Sequence, residues 1–185
     1  MIKSRIGIFG YGSLMSIDSA QKVLKRKLKL SDLVPAILQN YSRAWNLKET
    51  VFFEAINSIA TGVFLNIQPD LASSLNGLII NISEDELNSL RIREKNYDCV
   101  DITLQVENHE GYTQIYTFIA KKEFILTVQD VNVFIPKKYT AMVENACSMI
   151  SNDFLNVYRQ TTFKSAVPLI DGNYSFVDPQ QAELT

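Results

Sequence analysis

Ile6-Gly7-Ile8-Phe9-Gly10-Tyr11-Gly12-Ser13-Leu14-Met15 is the stretch on which the fold turns. Ile6, Ile8 and Phe9 make a short apolar run of the kind that forms a buried strand. Gly10, Tyr11, Gly12 and Ser13 follow in a row. Two glycines around an aromatic residue let the backbone turn sharply and come close to a neighbour. An apolar stripe at helical spacing begins just after Ser16. The order is therefore strand, glycine-rich loop, helix, and backbone N–H groups in such a loop suit an anion.

Several readings of the loop compete. A dinucleotide fingerprint needs a third glycine or alanine, and Met15 stands there instead. A phosphate-cradling P-loop needs a closing Gly-Lys-Ser/Thr, which is absent. Ser13 as a nucleophile needs a base, and the chain's single histidine, His109, falls in an expected turn. A small carboxylate held by backbone amides fits the loop, and so does a plain tight turn with no ligand.

The chain of 185 residues is 46% hydrophobic and 21% charged, which predicts one globular domain with a sizeable core. A net charge of -2 exerts no global pull toward nucleic acid. The opening MIKSRI lacks the apolar segment of a signal peptide, and no apolar run approaches a membrane span, so the expected location is the cytoplasm. Cys99 and Cys147 are too few for a disulfide framework and read as free thiols. His and Cys at metal-ligand spacing are missing, so no structural zinc is expected.

Ile17 to Leu30 predicts a helix with Ala20, Val23, Leu24 and Leu28 on one face and Ser16 as N-cap. Lys22, Lys25, Arg26, Lys27 and Lys29 cover the other face, read as a solvated surface. Leu33 to Trp45 is extended or mixed and broken by Pro35. Gly62 to Ile67 and Leu75 to Ile82 read as two strands, with a turn at Asn66, Gln68, Pro69 and Asp70. Ser83 with Glu86 is a capping-box signature and starts a short helix ending near Arg93. Val100, Ile102, Leu104 and Val106 alternate as a strand, Asn108, His109, Glu110 and Gly111 make a hairpin loop, and Tyr112 to Ala120 returns. Pro136 opens a helix carrying Tyr139, Met142, Val143, Ala146, Met149 and Ile150, and a short helix follows around Phe154 to Tyr158. From about residue 168 the tail is expected to be loosely structured. The whole is one α+β domain over residues 1–185.

Glu94 stands out among twenty acids because it ends a predicted helix. There the negative end of the helix dipole disfavours the charged form, and partial burial acts in the same direction. A glutamate tuned upward is a useful general base. Arg93 and Lys95 beside it oppose that shift if they point inward.

The loop Gly10-Tyr11-Gly12-Ser13-Leu14 after a first strand resembles the signature of the gamma-glutamylcyclotransferase-like superfamily, which includes the ChaC-type glutathione-degrading enzymes. Asn40-Tyr41-Ser42-Arg43-Ala44-Trp45 is similar to that superfamily's Gly-Tyr-x-Arg-x-aromatic segment, and Asn76-Gly77-Leu78 to the strand that follows it. Leu90-Arg91-Ile92-Arg93-Glu94-Lys95-Asn96-Tyr97 resembles its Leu-x-x-Arg-Glu-x-x-Tyr stretch, and Pro136 to Thr162 its C-terminal helical part. Asn40 replaces a usual glycine, and Asp98 stands where an arginine is often found.

The resemblance implies a small mixed β-barrel flanked by helices. It implies a cyclotransferase that closes a γ-glutamyl group to 5-oxoproline, with Glu94 as general base and Tyr11, Gly12, Ser13 and Leu14 holding the substrate. It implies no cofactor and no metal, a small γ-glutamyl molecule as partner, and neither nucleic acid nor membrane. Three other readings stay open: a non-catalytic binder of small acids on the same fold, a dinucleotide-binding oxidoreductase, and a surface-interaction protein using the basic helix.

Overall fold

The computed structural model describes residues 5–107, 109 and 111–179. Strand β1 (Ile6–Gly10) is buried along its whole length. It lies antiparallel to β3 (Ser58–Ile82), with Ile8 opposite Ile80, and parallel to β5 (Gln114–Ala120), with Ile8 opposite Tyr116. A central strand covered on both faces can be continuously apolar, and Ile6, Ile8 and Phe9 are.

Strand β2 (Leu33–Phe53) and β3 form one antiparallel hairpin, 21 residues on one arm and 25 on the other. Strands usually run to about 5–6 residues, and arms this long stay in one sheet only by bending. The bends are breaks in register at Gln39/Tyr41 and Trp45/Leu47. The expected turn at Asn66 to Asp70 is the first of these rather than a chain reversal. Gln39 faces Ser74 and Tyr41 faces Pro69, so residues 70–73 bulge opposite Asn40, which takes a left-handed φ of 65°. Asp70 holds the bulge: Oδ1 accepts the Ala72 N–H at 3.2 Å and Oδ2 the Ser73 hydroxyl at 2.6 Å. Pro35 does not break β2. It pairs with Leu78 two residues before Ile37, whose carbonyl turns away from β3 to accept the Glu107 N–H at 2.9 Å, so the Pro35 nitrogen also faces away from β3 and its missing N–H costs no bond of the β2–β3 ladder.

Helix α1 (Ile17–Leu24) stops short of the expected Leu30 because Lys25 turns left-handed at φ 52°, though Leu28 still reaches the core. Ser16 occupies the N-cap position without a side-chain capping bond. Helix α2 (Glu84–Arg93) has its predicted capping box: Ser83 Oγ accepts the Glu86 N–H at 3.1 Å, and Glu86 Oε2 accepts the Ser83 N–H at 2.8 Å. Strand β4 (Tyr97–Asp101) is shorter than the alternation suggested. Asp101 Oδ1 accepts from the Thr103 N–H at 3.0 Å and its hydroxyl at 2.6 Å, which turns the chain into a single 3-10 turn. Ile102 and Val106 stay buried, and Leu104 is left 87% exposed. The hairpin loop expected at Asn108 to Gly111 falls partly on residues 108 and 110, outside the described residues.

Strand β6 (Val133–Pro136) leads into α3 (Lys137–Ile150) and α4 (Asn152–Thr161). The tail is not loose as far as it is described. Leu169–Ile170 form β7 beside β6, and Tyr174–Phe176 form β8 on the edge of β2. Residues 180–185 lie outside the described residues. The result is α+β: a curled mixed sheet, half of a barrel, in the order β4-β5-β1-β3-β2-β8 with β6 also on β3, flanked among the described residues by four α-helices. Among the described residues no helix is long and apolar enough to cross a membrane.

Candidate active site

The loop after β1 and the end of α2 open on one cavity of about 440 Å³, within the range of roughly 300–1,000 Å³ common for small-molecule sites. Tyr11, Gly12, Ser13 and Leu14 line it, and so does Glu94, at least eighty positions later in the chain.

The loop is held by its own side chains and by close packing. The Tyr11 hydroxyl donates to the Phe118 carbonyl on β5 at 2.6 Å. Burial pushes its pKa far above the ordinary tyrosine value, and the Glu94 charge adds to the rise while Arg43 opposes it. Tyr11 is therefore a fixed neutral phenol. Gly12 leaves no room for a side chain: a Cβ there would lie 2.7 Å from the Tyr139 hydroxyl. Gly77 lets β3 come in against the loop, because a Cβ would meet the Phe9 ring at 2.3 Å and the Gly10 carbonyl at 2.6 Å.

Glu94 is the C-cap of α2, its N–H bonded to the Leu90 carbonyl at 2.8 Å. The cap at Ser83 contributes about 1 kcal/mol to that helix. Leu87 and Leu90, both buried, fix its inner face. Arg93 Nη2 pairs with Glu94 Oε1, and both side chains are mostly covered. Arg93 thus does point toward the acid.

A second carboxylate shares the cavity and was not singled out in the sequence. Glu49 on β2 is 8% exposed, and both its oxygens accept from Asn96 Nδ2, at 3.1 and 3.3 Å. Asn96 lies two residues past Glu94, so the α2–β4 turn carries one acid and steadies the other. A signal was present: Leu47, Glu49, Val51 and Phe53 alternate along β2 and all are buried, so Glu49 occupies an inward position. Tyr97 beside them has a pKa raised well above the usual, chiefly by burial and then by the neighbouring Tyr11, Glu94 and Glu49.

Arg43 sits behind this wall, fully buried. Its Nη2 donates to the Asn76 carbonyl, and Nη1 to Asn76 Oδ1 at 3.4 Å and the Thr162 hydroxyl at 3.2 Å. The guanidinium carbon lies 4.7 Å from the centre of the Tyr158 ring. Burial pulls its pKa down to about 10, and the surrounding Tyr158, Cys147 and Tyr139 resist the fall. Asn76 Nδ2 in turn donates to the Phe154 carbonyl at 2.8 Å, so Arg43 and Asn76 tie the hairpin to α4.

Helix α3 supplies Tyr139, and α1 and α3 bring Lys22 and Lys138 to the cavity. Lys25, Lys27 and Lys29, beyond the end of α1, are exposed as expected, while Arg26 donates to Glu86 Oε1 at 2.5 Å and to the Asn81 carbonyl at 2.6 Å. His109 contacts the Val106 carbonyl at 3.0 Å and is not among the cavity's lining residues, so Ser13 has no histidine base. Met15 is a core residue, 1% exposed, at the position where a dinucleotide loop needs a small residue. After α1 the chain enters β2, which is not a neighbour of β1, so the βαβ unit of that reading is absent among the described strands.

The backbone is similar to several solved structures. YkqA from Bacillus subtilis matches with a TM-score of 0.60 at 20% identity, over 91% of this chain and 57% of YkqA. The present chain thus spans little more than half the length of that protein. A structure described as gamma-glutamyl cyclotransferase matches at 0.58 and 12% identity over 89% of this chain and 94% of its own. A yeast gamma-glutamyl cyclotransferase specific to glutathione matches at 0.54 and 13% identity over 89% of this chain and 100% of its own. No family model matches the sequence, and no curated protein does. The chain has the gamma-glutamylcyclotransferase-like fold, and the resemblance read from the loop holds at that level.

Proposed function

We propose that the protein is a γ-glutamyl cyclotransferase in which Glu94 is the general base and the backbone of Tyr11, Gly12, Ser13 and Leu14 holds the substrate. The observation that carries this reading is that the loop and Glu94 line one cavity on this fold. A γ-glutamyl compound has a free α-amine and a γ-amide. Glu94 takes a proton from the amine, whose nitrogen attacks the γ-carbonyl carbon. A new C–N bond closes the five-membered ring, the old amide C–N bond breaks, and Glu94 returns the proton to the departing amine. The products are 5-oxoproline and a free amine, with no cofactor in the balance.

The protein's work is mainly conformational. Both reacting groups belong to one molecule, and holding them in contact supplies up to roughly 7–11 kcal/mol in well-oriented cases. The loop amides fix the substrate's α-carboxylate, and Arg93 holds the Glu94 carboxylate in place. Incubation with a panel of γ-glutamyl amino acids, peptides and amines tests the proposal by 5-oxoproline release. Tight binding of these compounds without release favours a non-catalytic binder of small acids. The absence of both binding and release overturns the reading.

A further inference from the structure

The end of the chain builds one wall of the cavity. Tyr174 and Phe176 on β8 flank the exposed Ser175, and both line the cavity. Their ring centres lie 5.9 and 5.2 Å from that of Phe64 on β3, and 5.9 Å from each other at an angle of 85°. Phe64 meets Tyr139 edge-on at 5.0 Å. Four rings from a strand of the hairpin, from α3 and from the tail therefore make a continuous aromatic surface.

This wall is anchored rather than draped. Tyr174 to Phe176 pair antiparallel with Val51 to Phe53. Asn173 Nδ2 donates to Glu54 Oε2 at 2.6 Å, and Lys138 Nζ donates to Asn173 Oδ1. Lys95, the residue after Glu94, forms an ion pair with Asp178 at 2.6 Å. The tail is thus fixed at one end to the hairpin and at the other beside the proposed base.

Resting on the function proposed above, we infer that this wall selects γ-glutamyl compounds whose departing amine carries an aromatic side chain. The glutamyl part has polar groups at its α-carbon, and these are matched by the loop and Glu94. The group beyond the γ-amide meets what remains of the cavity, where the four rings stand beside the polar side chains of Lys22, Lys138 and Asn173. Aromatic groups gain there both from leaving water and from edge-on or offset contact with fixed rings. A glycyl leaving group has nothing to place against them.

The test compares kcat/KM for 5-oxoproline release from γ-glutamylphenylalanine, γ-glutamylglycine and glutathione. Phenylalanine is expected to lead by about tenfold or more. Phe176→Leu keeps an apolar side chain but removes a ring, so the phenylalanine-to-glycine ratio should fall severalfold, mainly through KM. Release from all three with no preference for phenylalanine overturns the inference and leaves the proposed function standing. A folded Phe176→Leu with an unchanged ratio overturns it too. Release from none of them overturns both. The wild-type comparison decides the matter even if the variant does not fold.

Discussion

Replacing Glu94 by glutamine separates the chemistry from the fold. The two side chains have nearly the same size and shape. What the fold loses is the Arg93–Glu94 ion pair, whose side chains are 21% and 16% exposed. A pair in partial contact with water is worth about 1 kcal/mol or less, a fall in Tm of roughly 2–4 °C for a chain of this size. The catalytic loss is much larger. An amide cannot accept the proton of the substrate amine, and losing a general base costs about 10²–10⁴-fold in rate, or roughly 3–5.5 kcal/mol of barrier. Binding should change less, because the substrate's carboxylate is placed against the loop. The assay is 5-oxoproline release under saturating and limiting substrate, with a thermal melt on the same preparation. Glu84→Gln, exposed on the first turn of α2, is the control and should keep the wild-type rate. Glu49→Gln is the sharper comparison, since Glu49 is the other carboxylate in the cavity. A folded Glu94→Gln protein turning over at the wild-type rate refutes the assignment. A greater loss in Glu49→Gln than in Glu94→Gln moves the base to β2.

Two further predictions concern packing and protonation. Gly12→Ala places a Cβ 2.7 Å from the Tyr139 hydroxyl but 3.6 Å from Leu65 Cβ; overpacking of this kind costs about 1–3 kcal/mol, and adding Tyr139→Phe should recover most of it, as urea midpoints of the two single variants and the double variant will show. If the double variant is no better than Gly12→Ala, the contact is not the cause. At alkaline pH the buried phenols govern stability. Burial pushes Tyr158 and Tyr174 up to about 12, and Tyr11, Tyr97 and Tyr139 are raised as well. Each raised group contributes stability that is complete below the ordinary tyrosine value of 10.0 and is lost as pH climbs through the folded-state value. Arg43, lowered to about 10, acts with the opposite sign over that window, but it is one group against five. The urea midpoint should therefore hold up to about pH 10 and drop between about pH 10 and about pH 12; a constant or rising midpoint contradicts the burial of these tyrosines.

What the sequence determined by itself was local. Ile6 to Phe9 as a buried strand, Ser83 and Glu86 as a capping box, Glu94 at a helix end and the amphipathic pattern from Tyr139 to Ile150 all follow from spacing and side-chain chemistry within a few residues. The resemblance carried by Gly10 to Leu14 and by Arg93-Glu94 reached the fold, because a close backbone approach and a fixed loop leave a mark in residue type. Two misreadings share one cause. Local propensity reads Pro35 as a break and Asp70 as a turn, and in both cases the deciding element is distant in sequence: an open edge on β2 and a bulge facing Asn40. Only the tertiary structure decided that Glu49 shares a cavity with Glu94, that Tyr139 leaves Gly12 no room, and that Tyr174 and Phe176 return to line the same space. Those facts depend on how a hairpin with arms of 21 and 25 residues bends and what it then buries, and that is set by contacts between residues tens of positions apart, which no short-range pattern encodes.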